Sequence, residues 1–110
     1  MTQICCCGDG IYKGSTPSLF FNINTPLVNI DKMTMIFSQC GTIILEKNKD
    51  DITTVDEDTI KVKLTQKETL MFSSKYEIEA QIRIKYTSGA AVTSAITCFN
   101  IGEVLKNEVI

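Results

Sequence analysis

The stretch that decides the fold is Tyr76–Tyr86, YEIEAQIRIKY. Tyr76, Ile78, Ala80, Ile82, Ile84 and Tyr86 take every second place, and Glu77, Glu79, Gln81, Arg83 and Lys85 take the places between. Successive strand side chains point to opposite faces, so this run is an extended strand with one dry face and one wet face. At helical spacing the same residues would scatter apolar groups around the whole axis. Shorter runs repeat the alternation. Leu19, Phe21 and Ile23 share a face in Leu19–Asn24, as do Met33, Met35 and Phe37 in Met33–Ser38. Ile43 with Leu45, and Ile60 with Val62 and Leu64, continue the series, while Ala91–Ile101 is rich in the Val, Ile, Thr and Phe that strands favour. The inward sides of these strands predict a core that contains Phe37, Ile43, Ile60, Val62, Ile78 and Ile82.

Turn chemistry separates the strands. Gly14-Ser15-Thr16-Pro17 and Asn24-Thr25-Pro26 interrupt the chain on either side of the second strand. Gln39-Cys40-Gly41 predicts a three-residue hairpin loop with Gly41 left-handed, pairing Ser38 with Thr42, Phe37 with Ile43 and Met35 with Leu45. Thr87-Ser88-Gly89 predicts a second hairpin, with Ile84 opposite Val92, Ala80 opposite Ile96, and Cys98 opposite Ile78 in the core. In that register Phe99 and Ile101 face outward. Thr65 followed by Glu68 is a capping box, and it predicts one or two helical turns with Leu70 and Phe72 tucked beneath them. Short strands with turns at about ten-residue spacing predict an all-β fold, an immunoglobulin-like antiparallel β-sandwich of about seven strands with one short helical turn. A length of 110 residues suits one such domain spanning 1–110. The cysteine bridge and core tryptophan of antibody domains are absent from the sequence.

The composition narrows the chemistry. A net charge of −2 with scattered basic residues argues against a nucleic-acid partner. No apolar run of about 18 residues predicts a membrane span, and the start MTQICCCGDG lacks the form of an export signal. There is no histidine, so the usual base partner of a serine or cysteine nucleophile is missing. Cys5, Cys6 and Cys7 are consecutive, and Cys40 and Cys98 stand alone. A structural zinc site favours paired cysteines two to four residues apart, whereas adjacent strand residues point alternately up and down. Cys5 and Cys7 share a face as a candidate thiol or soft-metal pair. The plainer reading makes the three cysteines small apolar strand residues in a reducing compartment. Asn48–Asp58 carries the hard oxygen ligands Asp50, Asp51, Asp56, Glu57 and Asp58, but not in the order of a calcium loop. It is expected to be a solvated loop with a short edge strand. No catalytic, cofactor-binding or metal-binding residue is assigned, and no cofactor is expected.

The outer faces are not uniformly polar. Phe20, Ile36 and Ile44 point away from the side carrying Phe21, Phe37 and Ile43, and three such residues on neighbouring strands are candidate interface residues. The competing expectation is that Val104–Ile110 folds back to cover them.

Three segments carry a resemblance. Tyr12-Lys13-Gly14-Ser15-Thr16-Pro17-Ser18-Leu19-Phe20-Phe21 resembles the Y-R/K-G-T-T-P-T-hydrophobic opening of small phage proteins from Gram-positive hosts. Val62–Thr69, VKLTQKET, is similar to the same family's V-K-L-T-Q-E-E-T, and Ile101–Lys106 with Val109-Ile110 is similar to its V-G-x-I-L-K close. These are phage or prophage structural proteins, similar in pattern to the N-terminal β-sandwich of siphophage upper baseplate proteins. The resemblance covers residues 11–110, and its motifs are turns rather than site residues. The triple cysteine departs from it, because the family has an apolar strand there. The resemblance implies a non-enzymatic structural or adaptor role in a tail or baseplate. It also implies other phage structural proteins or further copies of the chain as partners, and a location in the host cytoplasm during assembly, with retention in the mature virion left open. Two other classes compete with it. One is a recognition module for host-surface carbohydrate, for which the chain offers Tyr12, Tyr76 and Tyr86 but no tryptophan. The other is a thiol or metal enzyme built on Cys5–Cys7, which the absence of histidine disfavours.

Overall fold

The alternating run becomes the central strand of a sheet. The computed structural model describes residues 5–6 and 11–110. Its elements in chain order are β1 (Cys5–Cys6), β2 (Ser18–Asn22), β3 (Ile30–Gln39), β4 (Thr42–Asn48), β5 (Ile52–Thr54), β6 (Thr59–Lys63), α1 (Gln66–Leu70), β7 (Ile78–Tyr86), β8 (Ala91–Thr93) and β9 (Thr97–Phe99). One sheet runs β1-β2-β6-β5 and the other β4-β3-β7-β8, with β9 also paired to β7. Every strand pair is antiparallel. With β4 lettered C′, this is the ABED sheet against the C′CFG sheet of an immunoglobulin-like sandwich. Strand β7 begins at Ile78, so Tyr76 lies before it and is exposed.

The core fills the space between the sheets. Phe37, Ile60, Val62, Ile78 and Ile82 have no exposed surface and belong to one cluster with Leu19, Phe21, Ile23, Met35 and Leu64. Phe72 and Phe99 stand edge-on to Phe37, at centroid distances of 6.2 and 6.4 Å. The capping box forms as predicted: Thr65 Oγ1 accepts from the Glu68 N–H, and Glu68 Oε1 accepts from the Thr65 N–H at 2.8 Å. Phe72 is buried below α1 and Leu70 is half-buried.

Two registers differ from expectation, the first by one residue at its turn and by two beyond a bulge, the second by one. The first hairpin has a two-residue loop, Cys40-Gly41, with φ of +50° and +77°. Positive φ at both central residues is the type I′ turn, whose twist suits paired strands. Gln39 pairs with Thr42 and Ser38 with Ile43, and then a bulge absorbs Ile44 so that Phe37 meets Leu45 and Met35 meets Lys47. A one-residue slip moves side chains to the other face. Ile43 is therefore 57% exposed, contrary to its expected place in the core, while Ile44 turns inward and packs against the core.

The second correction lies between β8 and β9. Ile84 pairs with Val92 as predicted, but Ala80 pairs with Thr97 and Ile78 with Phe99. Around Ser94 the strand carries one extra residue. The Ser94 N–H donates to the Ile82 carbonyl at 2.9 Å, and its Oγ accepts from the Ile82 N–H at 3.0 Å. A side-chain oxygen thus replaces a backbone carbonyl in the ladder, and the faces beyond it exchange. Cys98 is exposed opposite Glu79, not buried against Ile78, while Phe99 and Ile101 turn inward.

Candidate interaction surface

The three segments that carry the resemblance meet at one corner. Residues 11–13 run parallel to the chain around Gly102: the Lys13 N–H donates to the Gly102 carbonyl at 3.0 Å, and the Gly102 N–H to the Ile11 carbonyl at 2.8 Å. A Cβ on Gly102 would lie 2.4 Å from Tyr12 Cδ1, so only glycine admits the tyrosine ring there. The buried Thr69 hydroxyl accepts from the Gly14 N–H at 3.0 Å and donates to the Ser15 carbonyl at 2.9 Å. Glu103 accepts from Ser74 Oγ at 2.7 Å and lies 3.6 Å from Lys13 Nζ. The Ser74 bond, then the Val104 amide, hold its carboxyl below the ordinary range. The motifs act here as joints between turns.

Lys47 and Glu68 form the least exposed ion pair among the described residues. The bulge places Lys47 on the inner side of β4, opposite Met35, and its Nζ lies 2.7 Å from Glu68 Oε2. Burial acts to raise the Glu68 pKa, but the hydrogen bonds from Lys47 and the Thr65 amide outweigh it and hold the carboxyl low. One glutamate thereby caps α1 and ties it to an edge strand of the other sheet.

The predicted interface residues do not form one patch. Phe20 is on β2, half-buried and opposite Lys61 on β6, in the ABED sheet. Ile36 is half-buried on the outer face of the other sheet, between Glu46 on β4 and Gln81 on β7. Ile44 packs inward. Phe20 and Ile36 therefore belong to opposite sides of the sandwich, and the neighbour expected in Ile44 is replaced by exposed Ile43. The Val104–Ile110 tail does not cover Ile36; it runs along α1, where the Ile110 N–H donates to Gln66.

The outer face of the C′CFG sheet is built in rows. Ser38, flanked by Ile43 and Glu79, forms one, with Cys98 beyond Glu79; Ile36, flanked by Glu46 and Gln81, forms the next. Then come Thr34 flanked by Asn48 and Arg83, and Lys32 paired with Lys85. Partial desolvation, and then the Glu77 and Glu79 carboxylates, push the Cys98 thiol above its ordinary pKa, which makes it a poor nucleophile. A shallow depression of about 300 Å³ spans Ile36, Glu46, Lys32 and Arg83. A second, of about 490 Å³, lies at the end of the sandwich between Pro26, Val28 and the Glu57-Asp58 turn. Nothing in the sequence pattern marked that cleft, because it forms only where two loops from different strands converge.

The remaining candidates are accounted for. Asp56 bonds the Asp58 and Thr59 amides, which lower its pKa, so it holds a turn together. No three of His, Cys, Asp and Glu gather around a metal position among the described residues. Cys7, and the side chains of Cys5 and Cys6, lie outside what the structure describes. Tyr12 and Tyr76 are exposed, while the Tyr86 hydroxyl donates to the Pro26 carbonyl at 2.6 Å. No helix among the described residues is long and apolar enough to cross a membrane. No protein-family model matches the sequence, and no curated protein matches it.

Proposed function

We propose that this chain is a non-enzymatic structural or adaptor protein of a phage tail or baseplate, working through protein–protein contacts made by its C′CFG sheet. The observation that carries the reading is the free side of β4. Among the described residues it pairs only with β3, so a seven-residue edge keeps unpaired backbone donors and acceptors. Ile43 stands 57% exposed beside that edge, and Ile36 lies two rungs along the same face. Natural sheets blunt free edges with charge, bulges or cover, and β4 carries such guards in its bulge and in Glu46 and Lys47; its open stretch is the turn end, where exposed Ile43 invites a partner. The phage setting rests on the resemblance of the three motif segments.

The test is to induce the phage or prophage in its host, purify the particles, and quantify the protein in tail-bearing fractions by mass spectrometry. The reading expects it at a fixed ratio to tail proteins in the particles or in tail intermediates. Ile43→Lys should leave folding intact and deplete the protein from those fractions. Absence of the wild-type protein from both would overturn the proposal.

A further inference from the structure

The outer face of the C′CFG sheet is polarised along its strands. Glu77 and Glu79 stand toward one end with Glu46 one row further in, and Lys32 and Lys85 form the row at the other end with Arg83 one row further in. Ile36 and Gln81 share the row of Glu46, and Thr34 shares the row of Arg83, so the acidic and basic halves meet between these two rows. None of the six charged side chains makes an ion pair among the described residues. Lys32 stands directly opposite Lys85, a pairing of like charges that weakens a sheet unless something answers it. Each half of the face thus lacks the charge that the other half holds.

We infer that this face docks a second copy of the chain, face to face, through a two-fold axis that runs across the strands. This deepens the reading of the face as a contact surface by naming its occupant. A two-fold lying across the strands inverts position along each strand, so the Glu79 end of one copy meets the Lys85 end of the other. The row of Ile36 and Gln81 then faces the row of Thr34 and Arg83. A two-fold parallel to the strands would instead place Lys32 and Lys85 over the same residues of the partner, and repulsion excludes it. Charge complementarity therefore selects both the partner and its orientation. The Glu79 and Lys85 positions are six residues apart on β7, about 20 Å at strand rise. A face of that length, a few strands wide, sits at the small end of specific interfaces, so the dimer is weak, reversible and sensitive to salt.

The experiment is sedimentation velocity on the purified chain from about 1 to 500 µM, at low and at high salt, the range in which an interface this small is populated. The wild type is expected to dimerise at low salt and to lose at least about tenfold in affinity at 0.5 M salt. The double variants Lys32→Glu/Lys85→Glu and Glu77→Lys/Glu79→Lys should each be monomeric, and their mixture should form a heterodimer. A zero-length carbodiimide cross-link should join Glu79 of one copy to Lys85 of the other. A wild type that stays monomeric at low salt would overturn the inference, as would a mixture that fails to associate or a dimer cross-linked elsewhere. If a variant fails to fold, the salt dependence and the cross-link of the wild type decide alone. A monomer found at a fixed ratio in tail particles would sink this inference and leave the proposed function standing; a dimer missing from the particles would do the reverse.

Discussion

Gln39→Glu is the sharpest probe of how this fold is held together. Gln39 is the last residue of β3 and is 5% exposed. Its Nε2 donates to the Ser73 carbonyl at 2.7 Å and to the Tyr76 carbonyl at 3.0 Å, and its Oε1 accepts from the Ser73 N–H at 2.9 Å. These three bonds fix the segment that carries the chain from α1 into β7. Glutamate keeps the size and the acceptor but replaces the donor with a second oxygen, aimed at two carbonyls. Two lost bonds cost about 1 kcal/mol each, and an ionised oxygen set against carbonyls with little water adds about 1–3 kcal/mol. The expected loss at pH 7 is therefore about 3–5 kcal/mol. The carboxyl relieves the conflict by keeping its proton, because its O–H can then donate to one carbonyl. Its folded-state pKa is thus raised above the unfolded value of about 4.3. A raised pKa places the stability below that unfolded value and removes it as pH rises through the folded one. Urea unfolding followed by far-ultraviolet circular dichroism at about pH 4, 5.5 and 7 gives the measurement, since the lowest of these lies just below the unfolded value. Gln39→Glu should approach wild type at the acid end and weaken steadily toward neutrality, whereas Gln39→Met should lose about 2–3 kcal/mol with no added dependence on pH. A Gln39→Glu protein as stable as wild type at pH 7, or equally weakened at every pH, would refute the reasoning.

Three further outcomes test other joints. Ile82→Ala removes a fully buried side chain at the centre of β7 and should cost about 2–5 kcal/mol in denaturant unfolding. Gly102→Ala sets a methyl group against the Tyr12 ring and should cost about 1–3 kcal/mol, mostly recovered in a Tyr12→Ser background where the ring is gone. Glu68→Gln leaves Lys47 without its carboxylate and weakens the cap, a loss of about 1–3 kcal/mol for a pair that keeps some contact with solvent. Because the folded Glu68 pKa is depressed, the wild type holds this contribution above the ordinary carboxylate range and loses it as pH falls through the depressed value. The two proteins should therefore converge in stability as unfolding is repeated from about pH 6 down to pH 3.

The fold was legible wherever a face alternates without interruption. Ile78, Ala80, Ile82 and Ile84 are all buried, and so are Leu19, Phe21 and Ile23, because strict period two leaves no second register that buries them. The capping box was legible for a similar reason: both of its bonds lie within four residues. Ile43, Ile44, Cys98, Phe99 and Ile101 take faces opposite to those expected, each through a one-residue slip. Ile43 and Ile44 follow a turn of two residues where the pattern predicts three, and Cys98, Phe99 and Ile101 lie beyond an extra residue near Ser94 that the alternation does not mark. Ser94 becomes informative only when its hydroxyl is seen accepting the Ile82 amide, a contact across twelve residues. Gln39 and Lys47 hide for the complementary reason, since a polar residue late in a strand gives no sign that its partners come from α1 and the segment after it.

The candidate surface follows from those same slips. Had β4 kept its two-residue turn but no bulge, Ile44 would pair with Phe37 and Glu46 with Met35, and Lys47 would not come opposite Met35 to reach Glu68. The two-residue turn sets Ile43 outward beside the free edge, and the bulge places Glu46 next to Ile36 on the outer face. The bulge also carries Lys47 inward, where the pair with Glu68 anchors β4 to the corner that the three motif segments build. A weakly covered edge strand is otherwise free to fray; here an ion pair of 2.7 Å holds it from inside. Glu68→Gln should for that reason loosen the β4 amides in hydrogen exchange more than those of β7, although neither residue of the pair lies on the outer face. The turn thus exposes Ile43 at the edge, and the bulge supplies the tether that holds the edge strand in place.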